Sequence, residues 1–141
     1  MSETVQIKAP WLASKDPEVP STLNYSTLSM CGRVEEMVRQ YPNYTAYEFM
    51  GKTTTYAEMW QKINACAKSL KAIGIREGDK VTICMPNAPQ TLCMFYAVNM
   101  VGAIANMVHP LSAESEISFY LRDSNSVAAI TLDQFLSLIH I

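Results

Sequence analysis

From residue 56 to residue 73 the apolar positions recur every three or four residues. Tyr56, Met59, Trp60, Ile63, Ala67, Leu70 and Ile73 fall on one stripe, with Glu58, Gln61, Lys62, Lys68 and Lys71 mostly off it. That period predicts an amphipathic helix laid against a sheet. Thr55-Tyr-Ala-Glu58 supplies a capping box, and Gly74 followed by Ile75 supplies a left-handed stop with its hydrophobic contact. The rhythm then changes. Val81 to Met85 is a short, mostly apolar run between the Gly78-Asp79 turn and Pro86, as expected of a strand buried on both faces of a parallel sheet. Asn87 is expected to cap the next helix, with Pro89 in its first turn and Gln90 completing a capping pair. The apolar run Leu92 to Val101 carries that helix to Gly102, and Ala103 to Val108 offers a second strand. Two strands joined through a helix of this length form a parallel, right-handed βαβ unit.

The same reading extends in both directions. Downstream, Ser112 is expected to cap a helix with Ile117, Tyr120 and Leu121 on its inner face. Glu114 and Glu116 suit its positive end and Arg122 its negative end, Asn125 is the stop, and Val127 to Leu132 is a third strand. Upstream, Leu28, Cys31, Val34, Val38 and Tyr41 have helical spacing over Leu28 to Gln40, with Glu35 four residues before Arg39. Gly32 inside that span costs up to about 1 kcal/mol against alanine. Ala46 to Phe49 and Lys52 to Thr54 read as a hairpin around Met50-Gly51, where Gly51 can take positive φ. The predicted fold class is therefore α/β: a partial doubly wound sheet in βαβαβ order plus a short N-terminal hairpin. Residues 1–25, with Pro10, Pro17 and Pro20, read as an extended arm that Trp11 and Leu12 pin to the domain, and residues 26–135 as the folded portion.

Composition narrows the function classes. The 141 residues are 49% hydrophobic and carry a net charge of −2 with scattered basic residues, so no nucleic acid partner is expected. Leu92 to Val108 is interrupted by Asn99, Gly102 and Asn106 and falls short of the ~20 residues that span a bilayer, so no transmembrane segment is expected. The start, Met-Ser-Glu-Thr, does not resemble a secretory signal. Cys31, Cys66, Cys84 and Cys93 form no Cys-x-x-Cys pair and read as small buried hydrophobes of a reduced, cytoplasmic protein. No Gly-x-Gly-x-x-Gly and no Gly-x-x-x-x-Gly-Lys-Ser/Thr occurs. His109 stands at the carboxyl end of a predicted strand, where ligands of open α/β sheets gather, but with no visible acid or nucleophile partner it reads as structural or solvated. The expectation is that this chain contains no catalytic, cofactor-binding or metal-binding residue.

Tyr41-Pro42, Phe49-Met-Gly51, Thr55-Tyr56-Ala-Glu58, Gly74-Ile-Arg-Glu-Gly78-Asp79-Lys-Val81, Met85-Pro86-Asn87 and Gly102-Ala103 before His109-Pro110 occur in an order and spacing that resembles the N-terminal part of the adenylate-forming (AMP-binding) acyl-CoA synthetases. The resemblance covers Tyr41 to Phe135. Pro10-Trp11-Leu12 through Val19-Pro20 to Leu23-Asn-Tyr25 is similar to the lead-in of the long-chain fatty acid:CoA ligase branch. The resemblance implies the large domain of the adenylate-forming fold. It also implies a full-length enzyme that uses ATP, Mg²⁺ and coenzyme A to convert a carboxylic acid into an acyl-adenylate and then an acyl-CoA, in the cytoplasm or peripheral to a membrane.

The family's Ser/Thr/Gly-rich phosphate loop, its adenine and Mg²⁺ contacts and its C-terminal lysine belong to later sequence, and Ser21 to Gly32 contains no such loop. The segment alone is thus expected to be inactive and to bind none of these groups tightly. Two alternatives stay open: an amino-acid or aryl-acid adenylating relative, and a freestanding non-catalytic α/β binding module. Residues 136–141, Leu-Ser-Leu-Ile-His-Ile, are what CTGTCTCTTATACACATC encodes, a string that resembles a transposase adapter end; they are read as a non-native tail, and His140 is given no role.

Overall fold

The computed structural model describes residues 9–133. The tail reading at 136–141 and His140 lie outside the described residues, as does the start of the arm. Beyond the arm, the fold is built around one central strand. Strand β3 (Lys80–Cys84) pairs in parallel with β4 (Ile104–Met107) on one side and β5 (Ala128–Thr131) on the other, giving the order β4-β3-β5. β3 is central in position and alone among the three strands is buried on both faces: Val81, Ile83 and Met85 lie in one core, Cys84 in the other, with the buried Thr82 beside it. The first core lies under α2 (Tyr56–Ala72) and α3 (Pro89–Val101), with Met59, Ile63, Leu70, Ala97 and Val98 buried there. The second lies under α4 (Glu114–Ser124), where Ile117 and Val108 pack on Cys84. Helices on opposite faces of a parallel sheet are the doubly wound arrangement that the pattern predicts.

The remaining elements attach to the α2–α3 layer. Helix α1 (Met30–Gln40) packs on both helices, and β1 (Thr45–Phe49) forms an antiparallel hairpin with β2 (Lys52–Thr55) at the start of α2. A bulge between Thr45 and Tyr47 bends β1 so that Ala46 and Tyr47 both reach the core. Helix α2 begins on the expected capping box, Thr55 Oγ1 accepting from Glu58 N–H while Glu58 accepts from Thr55 N–H at 2.8 Å. It ends in a Schellman turn, with Ile75 N–H donating to Leu70 O and Gly74 N–H to Lys71 O around Gly74 at φ 96°. Ile75 is buried beside Leu70, whereas Ile73, expected on the apolar stripe, is at the C-cap and exposed.

Four further expectations are corrected. The arm is not wholly extended: Pro10–Ser14 is a 3-10 turn, and Trp11 and Leu12 are not buried, being 65% and 43% exposed. The N-cap of α3 is Ala88, not Asn87. Pro89 holds the first helical position, and a residue before proline is pushed into extended geometry, which Ala88 adopts at φ −141° and ψ 160°. The N-cap of α4 is Ala113, not Ser112, because Ser112 N–H closes a turn on His109 O through Pro110; only the Glu116 half of a capping box remains, accepting from Ala113 N–H at 3.1 Å. On that helix Glu114, Glu116, Arg122 and the left-handed Asn125 stand as expected, but Tyr120 faces outward in an edge-on pair with Phe119, and Ser118 takes the buried position.

Candidate functional site

Strands β3 and β4 are neighbours whose following helices leave for opposite faces of the sheet. The loops at their carboxyl ends therefore part and leave a crevice at the carboxyl edge of the sheet, the edge at which open α/β sheets hold ligands. Here Pro86-Asn87-Ala88 follows β3 and Val108-His109-Pro110-Leu111 follows β4. Between them is a cleft of ≈ 410 Å³ walled mainly by Met85, Pro86, Met107, Val108 and Leu111, with Asn87 and His109 as its polar side chains. A second groove of ≈ 360 Å³ shares Asn87 and Met107 with it and runs past the first turn of α3 to Tyr47 and Phe49 of the hairpin.

The polar groups are few and fixed. His109 Nδ1 accepts from Leu111 N–H at 3.2 Å, so the neutral ring carries its proton on Nε2. The same turn uses His109 O to accept from Ser112 N–H. Asn87, released from capping, is exposed at the cleft mouth, and Thr91 Oγ1 ties the loop to the helix by donating to Pro86 O at 2.6 Å. No Asp, Glu, Lys or Arg is among the residues lining either opening. Among the described residues no three His, Cys, Asp or Glu side chains gather as metal ligands. The arrangement can shelter an apolar group and offer it neutral donors beside the positive end of α3. It supplies no acid–base pair and no carboxylate for a metal.

On the far face of the sheet, Asn106 Nδ2 donates to Thr82 Oγ1 at 2.9 Å, and Thr82 and Ser126 hydroxyls bond at 2.7 Å. This chain of bonds satisfies the buried Thr82 and anchors the end of α4, so Asn106 is structural. The cysteines are all free; Cys31, Cys84 and Cys93 are buried and Cys66 partly so. Burial pushes every one of these thiols up from the ordinary value, which suits packing rather than nucleophilic work. No helix among the described residues is long and apolar enough to cross a membrane.

Of the residues singled out from the sequence, the fold brings His109 and Asn87 to one cleft. Met107 joins them there, and the hairpin aromatics Tyr47 and Phe49 meet Asn87 and Met107 in the adjoining groove, none of the three having been marked by the sequence pattern. The strand-end position of Met107 is a usable signal, but nothing local places the hairpin beside α3.

The AMP-binding enzyme family matches residues 34–140. A long-chain-fatty-acid–CoA ligase of Bacillus subtilis is 31% identical over 129 residues, 92% of this chain and 23% of its own length. The long-chain-fatty-acid–CoA ligase FadD13 of Mycobacterium tuberculosis is 42% identical over 76 residues, 54% of this chain and 15% of its own. In structure, a fatty acyl CoA synthetase of Mycobacterium tuberculosis superposes with a TM-score of 0.72 at 33% identity, covering 75% of this chain and 22% of that one. An anthranilate CoA ligase, solved with anthranoyl-AMP, gives 0.73 at 25% identity over 77% of this chain and 21% of its own. The chain thus spans less than a quarter of the length of these relatives. With the family matched over most of its length and the doubly wound fold in place, the chain belongs to the AMP-binding enzyme family.

Proposed function

We propose that this chain is the N-terminal segment of an ATP-dependent acid:CoA ligase, with a fatty acid as the favoured substrate. The observation that carries this reading is the likeness to a fatty-acid ligase across 92% of the chain. In such a reaction the carboxylate oxygen attacks the α-phosphate of ATP and pyrophosphate leaves. The CoA thiol then attacks the acyl carbon and AMP leaves. Catalysis of the first step is mostly positioning plus stabilisation of developing charge by donors that converge on one point. The cleft offers Asn87 and His109 Nε2, but no cation and no carboxylate. Its residues do not fit Mg²⁺ or a triphosphate, so no step is routed through them. The role proposed for this segment is a wall of the site and a support for groups carried elsewhere in a longer chain; no catalytic, cofactor-binding or metal residue is assigned within it.

Groups that act as one unit lose their effect together, so the segment alone is expected to be inactive. The test is ATP–pyrophosphate exchange with short- to long-chain fatty acids, run on this chain and on the completed gene. Exchange by the completed gene only is the expected result. Exchange above background by this chain alone would overturn the placement of the chemistry. No exchange by the completed gene with any acid would sink the ligase reading and return the chain to a freestanding binding module. An aryl acid is the second reading, favoured by the equal structural likeness to an anthranilate ligase, and benzoate derivatives belong in the panel. The enzyme is proposed to be cytoplasmic, without a nucleic acid partner.

A further inference from the structure

Away from the cleft at the sheet edge, a cavity of ≈ 390 Å³ opens between α2, the hairpin and the start of α3. Pro89, Cys93 and Met94 of α3 line it with apolar surface, and Tyr47, Lys62 and Gln90 bring its polar groups. Two of these are fixed against each other. Lys62 Nζ donates to the Tyr47 hydroxyl at 3.3 Å and lies 5.8 Å from the centre of that ring. A hydroxyl that accepts from an ammonium keeps its own proton to give, and Tyr47 has no acceptor for it among the described residues. The ammonium likewise keeps N–H groups beyond the one spent on Tyr47. We propose that this cavity binds a small organic acid with an apolar body, its carboxylate held by Lys62 Nζ and the Tyr47 O–H and its chain laid against Pro89, Cys93 and Met94.

Charge complementarity decides the class of occupant. The carboxylate that helical spacing would bring to Lys62 is Glu58, one turn earlier on α2. Glu58 is committed to the cap instead, accepting from Thr55 N–H at 2.8 Å and from Thr55 Oγ1 at 3.0 Å. The ion pairs Arg33–Glu36 and Arg39–Glu35 both lie within α1 and leave Lys62 without a carboxylate partner among the described residues. Arg33, the cation lining the groove beside α1, is by contrast already paired. Hydrogen bonding to the Tyr47 hydroxyl also holds the Lys62 ammonium above the ordinary lysine value, so the charge persists. Two adjacent donors suit the two oxygens of a carboxylate, and one cation balances one negative charge. A phosphate monoester carries nearly two charges at neutral pH, and no second cation lines the cavity to meet the other. Neither Lys62 nor Gln90 lines the cleft or the groove beside it, so this site is independent of the ligase reading.

The test is a titration of the dilute 141-residue chain with octanoate, read by saturation-transfer difference NMR, with octan-1-ol and octyl phosphate titrated in parallel. Saturable octanoate binding is expected, with both analogues weaker. Lys62→Met keeps the apolar stem and removes the charge, and Tyr47→Phe keeps the ring and removes the donor; each should weaken octanoate by about tenfold. Gln90→Trp, at an exposed lining position, should obstruct the cavity and lower binding without touching either donor. If a variant fails to fold, the three ligands on the unmodified chain decide. Octan-1-ol binding as tightly as octanoate would reduce the cavity to an apolar pocket, and tighter binding of octyl phosphate would refute the match to a single charge. No saturable binding, or octanoate affinity unchanged by Lys62→Met or by Gln90→Trp, would likewise overturn the site.

Discussion

At Met50 the hairpin turn places a non-glycine side chain in the left-handed region, φ 51°, followed by Gly51 at φ 75°. Two successive positive φ angles suit a two-residue turn that follows the twist of β1 and β2, and asparagine is the residue that tolerates the first position best. Met50 is 87% exposed, so it gains no packing in return. Met50→Asn is therefore expected to stabilise the chain by about 0.5–1 kcal/mol, read as a higher urea midpoint with unchanged slope. Gly102 presents the opposite case. At φ 83° it forms the left-handed end of α3, and a Cβ there would lie 3.0 Å from Glu77 Cγ and 3.3 Å from Glu77 Cβ. A Cβ on Gly51 meets nothing within 4 Å. Gly51→Ala should cost about 1 kcal/mol from backbone conformation alone, and Gly102→Ala visibly more, up to about 3 kcal/mol, because crowding adds to strain. Equal losses at the two sites in parallel denaturation curves would refute the crowding argument.

Among the elements, α2 depends on its first turn. Hydrogen bonds from the Thr55 backbone and side chain hold the Glu58 carboxyl below its ordinary range. A carboxyl whose folded value is depressed stabilises the fold fully above its unfolded value, and that contribution is lost as pH falls through the folded one. The acid limb of the stability curve should therefore steepen below the ordinary glutamate range, and Glu58→Gln should flatten that part of it. An unchanged limb in the glutamine variant, followed by thermal melts at closely spaced pH, would show that other carboxylates set it. Thr55→Ala removes the acceptor for Glu58 N–H and should cost about 1 kcal/mol at neutral pH.

At the scale of the molecule, the sheet has one interior strand among the described residues. The outer sides of β4 and β5 carry no strand partner among the described residues, and β4 exposes Ile104 at 53% and Met107 at 51%. Unpaired strands with apolar side chains template association with other chains. The isolated chain is expected to self-associate in light scattering after size-exclusion chromatography, increasingly so with concentration. A monodisperse monomer with one sharp cooperative melt would count against this, and would favour the binding-module reading of the chain.

What the sequence determined by itself is everything that acts within a few residues. The 3.6-residue stripe makes α2, Thr55 and Glu58 start it, and Gly74 with Ile75 stops it, because each of those bonds closes locally. The mostly apolar run at β3 dictates a buried strand, and the alternation of strands and helices dictates a parallel sheet. Tertiary structure decided what depends on partners distant in the chain. Asn99, which interrupts an apolar run, accepts from Cys31 N–H across 68 positions at the start of α1. The release of Asn87 is local as well, since Pro89 moves the cap one residue on, whereas Tyr120 and Trp11 remain outside because no element among the described residues covers them. The cleft itself exists only because neighbouring strands send their helices to opposite faces. That geometry belongs to the order β4-β3-β5, which no local stretch of residues encodes.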